Sequence, residues 1–391
     1  MTMGESKRIT LVSPYDPTPD QLDTKGAKVG GVERVFAEVA KGLVARGHDV
    51  TMLCSTSGPP RRTVDDNLRT IRVHRHATLF RDPVCRLDRH LPPGADIVHV
   101  AATYPFTTAP VLRRADRDGA VPVLDFHFEP HPGSAAGRLA AALYRKVGPP
   151  SYSVAQAVLV RSHAYAESAP SLAGVPAERL RIVPNGIDPA RFRPDGPASP
   201  GDYLLFVGRL VPYKGVEVLL HAMALARLGL PLVVVGDGPR KPFLESLARN
   251  LGVEVRWLGH IPDDMLPILY RGATLTVLPS VNRQEAFGIA LIESMACGTP
   301  VVASALRGVE DVAKVGGLTV PPGDPAALAQ ALQQAIAANL PRGAALARKV
   351  HALFSWDAVT DRLVQVYDEA LAGRPRREVN PHAHPGGHAV L

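Results

Sequence analysis

The sequence predicts an α/β protein of two domains, each a parallel sheet covered by helices, facing each other across a central cleft. Three observations predict it. At 391 residues the chain is too long for one hydrophobic core and comfortable for two. Short continuous apolar runs alternate with helix-spaced patterns, as expected of strands buried on both faces. The alternation stops at a stretch rich in Pro and Gly near 183–201 and then begins again.

The first half opens with an expected strand at 9–13. A polar loop follows, and then 31–46 carries Val32, Val35, Phe36, Val39, Ala40 and Leu43 at helical spacing. Further strands are expected at 49–54, 70–75, 96–101, 121–126 and 157–161. The second half repeats the pattern, with strands expected at 203–207, 232–235, 253–258, 275–278, 300–303 and 318–320. Helices are expected at 288–297, 325–339 and 354–372. All strands are read as parallel, which makes each half a Rossmann-like unit with ligands at the carboxyl ends of its strands. The first domain is expected to span 1–188 and the second 189–355. Beyond Gly373 the chain reads as a disordered tail, where nothing near His382, His384 and His388 completes a coordination sphere.

Composition narrows the function. Hydrophobic residues make up 46% and charged residues 21%, the balance of an ordinary globular protein. No apolar run is long enough to cross a bilayer, and residues 1–10 show no signal-peptide core. Cys54, Cys85 and Cys297 lie far apart, which argues against a disulfide framework or a zinc site and fits the cytoplasm. The net charge of +7 points to an anionic partner. Arginines concentrate only mildly between 61 and 89, with no interleaved aromatic stripe. A phosphate-bearing small molecule is therefore expected rather than nucleic acid.

Three segments carry chemistry. Gly30-Gly31 opens the first helix, where a ligand can approach the backbone and free N–H groups face an anion. The loop Gly208-Arg209-Leu210-Val211-Pro212-Tyr213-Lys214-Gly215 follows the first strand of the second half. A guanidinium fork and a point charge on one tight turn suit a diphosphate. The segment from Glu285 to Glu293 places one carboxylate before a helix and one two turns into it, roughly 12 Å apart if the whole stretch were helical. That spacing suits a sugar–diphosphate–ribose ligand better than a carboxylate pair acting on one bond. The N–H groups of Phe287, Gly288 and Ile289 would lie between the two acids and face phosphate.

These pieces resemble the family-four retaining glycosyltransferases of the GT-B fold. The resemblance covers roughly 9–372. It rests on Gly30-Gly31, the Pro-Asn-Gly-Ile-Asp turn at 184–188, the basic loop at 208–215, the Val-Gly-Asp-Gly-Pro run at 235–239 and the Glu-x7-Glu segment at 285–293. It implies that Arg209 and Lys214 bind the donor diphosphate, Glu293 the ribose and Glu285 the donor sugar. Gly236 belongs to the donor loop, and Gly259, His260 and Ile261 look like the base-binding edge. His127, at the carboxyl end of a first-domain strand, is implied to touch the sugar or the acceptor hydroxyl. A last helix at 356–372 is implied to pack back on the first domain.

No side chain stands out as a nucleophile, so the resemblance implies transfer with retention, driven by positioning and charge stabilisation after domain closure. No cofactor or metal is expected. Asp116 and Asp118 spell a metal-binding Asp-x-Asp but lie between a helix and a strand, where a solvated turn is expected. A UDP-sugar is the favoured donor, and a small hydroxylated acceptor is expected. The stretch 135–147 is too alanine-rich to anchor on a membrane. Asp16, Asp20, Asp23 and Glu129 place acids near the acceptor side of a basic protein. They favour a cationic acceptor such as an aminocyclitol, as in the aminoglycoside-pathway members of the family, with Asp23 and Glu129 as its contacts. The competing readings are transfer to a lipid-linked or polysaccharide acceptor from a GDP- or UDP-sugar, a sugar-nucleotide epimerase, and a non-catalytic nucleotide-sugar binder.

Overall fold

A computed structural model describes residues 5–17, 31–65, 67–79, 82–102, 105–127, 146, 152–338 and 340–373. In the first half, β1 (Arg8–Tyr15), β2 (Asp49–Thr56), β3 (Arg61–Asp65) and β4 (Leu68–His74) precede the small hairpin of β5 (Ala77–Leu79) and β6 (Asp82–Val84). Then come β7 (Ile97–Ala101), β8 (Val121–Asp125), β9 (Ala157–Val160) and β10 (Leu180–Ile182). The helices whose full span is among the described residues of this half are α1 (Gly31–Ala45), α2 (Pro105–Arg117) and α3 (His163–Ser168). One sheet of eight strands runs β10-β9-β8-β7-β1-β2-β4-β3. Its order reverses between β1 and β7, so the carboxyl ends of those two strands flank a crevice.

The sheet departs from the all-parallel expectation at one edge. β3 pairs antiparallel with β4 and is exposed along its whole length. Its sequence, Arg-Arg-Thr-Val-Asp, has no apolar run to reveal a strand, and its charges suit an unpaired edge.

The second half holds β11 (Leu204–Val207), β12 (Leu232–Val235), β13 (Val255–Gly259), β14 (Leu275–Leu278), β15 (Val301–Ser304) and β16 (Gly317–Val320). They form a six-stranded parallel sheet in the order β13-β12-β11-β14-β15-β16, which reverses between β11 and β14. Its helices are α4 (Val216–Ala226), α5 (Lys241–Asn250), α6 (Met265–Gly272), α7 (Ile289–Ala296), α8 (Glu310–Ala313), α9 (Pro325–Ala337) and α10 (Gly343–Phe354). The last helix is α11 (Trp356–Ala372).

The helix expected at 354–372 starts two residues later, at Trp356, and α10 before it is an addition to the expected helices. Phe354 ends α10, Ser355 turns to φ −61° and ψ 148°, and its hydroxyl accepts from Ala358 N to cap α11. α11 buries Val359, Leu363, Val366 and Tyr367 at helical spacing against Val35, Phe36, Val39 and Leu43 of α1. Each such side chain contributes about 2 kcal/mol of burial. The chain thus returns to the first sheet after completing the second.

Two segments cross between the halves, and they are tied together. Ile187 N donates to Phe354 O at 2.7 Å, and Trp356 N donates to Ile187 O at 3.0 Å. Gly186 lies against the Trp356 indole, and a Cβ there would overlap the ring. Gly186→Ala is therefore expected to destabilise by about 1–3 kcal/mol, the range for overpacking. Thermal denaturation reads this directly, and an unchanged Tm would mean that the crossing relaxes freely.

Candidate functional site

The two sheets present their carboxyl ends to a shared cleft of about 420 Å³. On the second-domain side the site grows out of the reversal between β11 and β14. After β11, Gly208 N donates to Val235 O and Leu210 N to Asp237 O, both at 2.9 Å, which zips this loop to the one after β12. Gly236 has φ 123°, and a Cβ there would collide with Gly208 O, so only glycine lets the two loops touch. Val281 N donates to Tyr213 O at 2.8 Å and joins the loop after β14 to the same turn.

These ties bring Lys214 against Glu285, 71 positions later, with Nζ donating to Oε2 at 2.5 Å. Ser280 Oγ donates to the same oxygen at 3.1 Å. Both charged side chains are mostly buried, at 14% and 11% exposure. A cation and an acceptor of hydroxyl hydrogen bonds thus stand side by side at the switch point, where a negatively charged, hydroxyl-rich ligand is best served.

Glu293 lies farther along the same wall. It is the fifth residue of α7, just over one turn in rather than two, because Gly288 at φ 81° is left-handed and the helix starts at Ile289. Tyr270 OH donates to Glu293 Oε2 at 2.8 Å. Burial pushes the Glu293 carboxyl up to about 7, against the opposing hydrogen bond from Tyr270 and the charge of Arg191. Between the two glutamates, Phe287, Gly288 and Ile289 line the cleft at the start of α7, where N–H groups have no partner within the helix.

Gly31, Val32 and Val35 bring the start of α1 to the first-domain wall, and His127 stands beside them two residues beyond β8. His127 belongs to a buried polar cluster. Arg161, after β9, sends Nη2 to Asp125 Oδ1 at 2.6 Å and Nη1 to Val183 O at 2.7 Å. The same Nη2 lies 3.0 Å from His127 Nδ1, and His127 Nε2 lies 3.2 Å from Asp125 Oδ2. His99 approaches Asp125 Oδ2 at 3.5 Å and pairs through Nδ1 with Tyr367 OH of α11 at 2.6 Å. A guanidinium only donates, so Nδ1 of His127 accepts and Nε2–H points at Asp125. Burial lowers the His127 pKa, and the Arg161 charge adds to this against the pull of Asp125. Burial works against the Asp125 charge, yet Arg161 and His127 hold its carboxyl well below the usual range. The imidazole is thus neutral, with both nitrogens turned into the protein.

The sequence-derived site residues divide into groups. Gly31, His127, Lys214, Glu285, Phe287, Gly288, Ile289 and Glu293 line the one cleft. Gly236 and Gly259 meet through Gly236 N donating to Gly259 O at 2.7 Å, along the same sheet edge. His260 is exposed and Ile261 half-buried just after β13, two strands from Lys214. Arg209 is exposed and joins no ion pair among the described residues. Gly30, Asp20, Asp23, Glu129 and the tail histidines lie outside the described residues. Asp16 is held in an ion pair with Arg72 at 2.5 Å, both buried, so it offers no free carboxylate to an acceptor. Asp116 falls in the last turn of α2 rather than after it, and Asp118 accepts from Arg114 at 2.6 Å.

Sequence reasoning missed Ser280, Tyr270, Asp125, Arg161 and Asn185. Two of them carried a signal. Asp125 sits inside the apolar run 121–126 and Arg161 closes the run 157–160. A charge within a strand buried on both faces needs a partner.

Comparison with known proteins agrees with this geometry. Residues 190–349 match the family described as glycosyl transferases group 1, and 29–191 match glycosyltransferase family 4. A D-inositol 3-phosphate glycosyltransferase of Acidothermus cellulolyticus is 30% identical over 397 residues, covering 88% of this chain and 87% of the relative. Sucrose-phosphate synthase from Thermosynechococcus elongatus superposes with a TM-score of 0.71 at 26% identity, covering 94% of this chain and all (100%) of that one. Anabaena HepE in complex with UDP shares the fold, with a TM-score of 0.69 at 18% identity over 93% of this chain and 100% of its own. The chain belongs to the family-four, group 1 glycosyltransferases of the GT-B fold, enzymes that take their sugar from a nucleotide-sugar donor.

Proposed function

We propose that the enzyme transfers a hexosyl or pentosyl unit from a UDP-sugar, with retention, to a hydroxyl of a small cyclitol-type acceptor. The observation that carries the donor half is the Lys214–Glu285 pair at the strand-order reversal, with Glu293 on the same cleft wall. Lys214, joined by Arg209 from the same loop, receives the leaving diphosphate. Glu293 accepts hydrogen bonds from the ribose, and Glu285 holds the sugar. Glu285 is already engaged by Lys214 and Ser280, which suits a hydroxyl acceptor better than a nucleophile. Attack then comes from the acceptor hydroxyl on the donor face, and an NMR spectrum of the product should show the donor's anomeric configuration kept.

The cyclitol is supported by the relatives named for inositol 3-phosphate. The aminocyclitol version rests on Asp23 and Glu129. A screen of UDP- and GDP-sugars against inositol 3-phosphate, aminocyclitols, neutral sugars and phosphoinositides, read by mass spectrometry, tests the reading. Product with an aminocyclitol, lost in Asp23→Ala and Glu129→Ala, supports the amino form. Transfer only to lipid or polysaccharide overturns the acceptor, and epimer formed from donor alone overturns transfer.

Two further outcomes are expected. The Glu293 carboxylate can accept from both ribose hydroxyls only when ionised. Its pKa of about 7 makes the ionised fraction grow across neutral pH. Donor affinity should therefore strengthen between pH 6 and pH 8, by up to about tenfold per unit. Glu293→Gln should bind weakly with that component of the slope gone, and calorimetry showing the same slope in both proteins would remove Glu293 from the ribose site. Among the described residues, no group of three His, Cys, Asp or Glu side chains is placed to hold a metal. Turnover should accordingly survive excess EDTA, whereas complete inhibition reversed by magnesium would show that the site is metal-dependent. No helix among the described residues is long and apolar enough to cross a membrane.

A further inference from the structure

His99 is 1% exposed, and its Nε2 is buried with no hydrogen-bond partner. Folded proteins pair nearly all such atoms, so an orphan asks for an explanation. The atom it faces is Asp125 Oδ2, 3.5 Å away, which His127 Nε2 approaches more closely, at 3.2 Å. Two imidazoles thus compete for one carboxylate oxygen, while Asp125 Oδ1 is taken by Arg161. On its other side His99 is held in place. Its Nδ1 lies 2.6 Å from Tyr367 OH on α11, and the Phe36 ring of α1 packs against it at 5.1 Å between centroids. Burial, with the Asp125 charge, raises the Tyr367 phenol well above its ordinary pKa, so it keeps its proton and donates to Nδ1. An imidazole that accepts at Nδ1 carries its proton on Nε2, here aimed at Asp125.

His127 lines the cleft, yet both its nitrogens are engaged by Arg161 and Asp125. It can turn Nε2–H to a substrate oxygen only by releasing Asp125, and a buried carboxylate that loses a donor is destabilised. We propose that His99 and Tyr367 are positioning residues for sugar transfer: His99 takes over Asp125 Oδ2 when His127 turns Nε2–H to a hydroxyl oxygen of bound substrate, and Tyr367 holds His99 in the tautomer that can do so. The inference rests on the transferase reading above and extends it to the returning helix, since Tyr367 is fully buried and acts only through His99.

The exchange of partners is visible without substrate, by nitrogen NMR of the histidine rings. His127→Ala vacates Asp125 Oδ2, so His99 Nε2–H should move downfield as its bond to Asp125 shortens. Tyr367→Phe should shift His99 toward the other tautomer. Turnover is read as UDP released from UDP-glucose and UDP-N-acetylglucosamine in the presence of inositol 3-phosphate. His99→Phe keeps a ring and removes the donor, and should lower kcat by roughly tenfold or more while the Kd for UDP stays unchanged. His99→Gln, whose amide can still donate, should recover most of that loss. Tyr367→Phe removes one hydroxyl and keeps the packing, and should lower kcat by roughly threefold to tenfold. In a His127→Ala background these substitutions should add nothing, whereas a merely structural role would lower kcat there as well. An unmoved His99 signal in His127→Ala overturns the proposal. So does wild-type kcat in both His99→Phe and Tyr367→Phe, an equal fall in the His127→Ala background, or a parallel loss of UDP binding. A wild type that binds no UDP fails the donor reading itself, whatever the NMR shows.

Discussion

Lys214→Ala is expected to lower kcat/KM by roughly thirtyfold or more, equivalent to about 2 kcal/mol of transition-state stabilisation. Arg209→Ala should do the same from the exposed end of the loop. The geometry separates the two. Arg209 has no ion pair to lose among the described residues, whereas Lys214 also neutralises Glu285 at 2.5 Å. Removing Lys214 leaves a mostly buried carboxylate with only Ser280 as a donor, so its loss includes disorder at the proposed sugar site. Removing Glu285 has the opposite sign for the nucleotide, because it releases Lys214 for phosphate. Glu285→Ala should bind UDP as well as wild type or more tightly while transfer collapses, and Glu293→Ala should lose UDP. The double variant Lys214→Ala/Glu285→Ala should cost less than the sum of its parts. Wild-type kcat/KM in both Arg209→Ala and Lys214→Ala would show that the loop does not hold the diphosphate. Equal loss of UDP binding in Glu285→Ala and Glu293→Ala would refute the division of labour.

Most strands were legible because parallel strands covered on both faces must be apolar throughout. Runs such as Leu-Val-Val-Val at β12 and Val-Val-Ala-Ser at β15 have no other place to go. β3 was not legible for the converse reason, since a fully exposed edge strand carries no burial pattern. α10 was not legible, and the expected start of α11 falls two residues early because Ser355, the single residue between them, breaks no hydrophobic rhythm. The site followed the same logic. Lys214, Glu285 and Glu293 sit on loops and a helix start that follow strand ends, and they line one cleft. Their partners do not. Tyr270 reaches Glu293 across 23 positions, Arg161 reaches Asp125 across 36, and Tyr367 reaches His99 across 268. Such pairs are set by strand order and by the return of α11, which no local pattern encodes.

The buried cluster behind His127 should give the largest stability effect. Asp125 and Arg161 are each about 2% exposed in their side chains, and a bidentate-like fork joins Arg161 to both Asp125 and the Val183 carbonyl. Asp125→Ala leaves a guanidinium buried without counter-charge, which costs about 3–5 kcal/mol. For a domain of this size that is on the order of 10 °C in Tm. The double variant Asp125→Leu/Arg161→Met, which removes both charges and fills the space, should recover most of the loss. Failure to recover would mean that the pair specifies the local fold through its hydrogen bonds rather than through charge balance. Arg161→Met alone has a second, diagnostic consequence. The groups facing His127 are Asp125 on β8, Arg161 after β9 and His99 on β7, with the Phe36 ring of α1 6.2 Å away. Without Arg161, only burial and His99 oppose protonation while Asp125 favours it, so the His127 pKa rises. With that charge gone the His127 pKa moves back toward its unfolded value, near 6.5, so protonation below that pH costs less folding stability than it does in wild type. In wild type the His127 pKa is lowered, so the cluster loses stability as pH falls below about 6.5. Denaturation of Arg161→Met should therefore show a Tm that holds or improves relative to wild type on going from pH 7.5 to 5.5, and a parallel decline in the two proteins would show that Arg161 does not set the charge of His127.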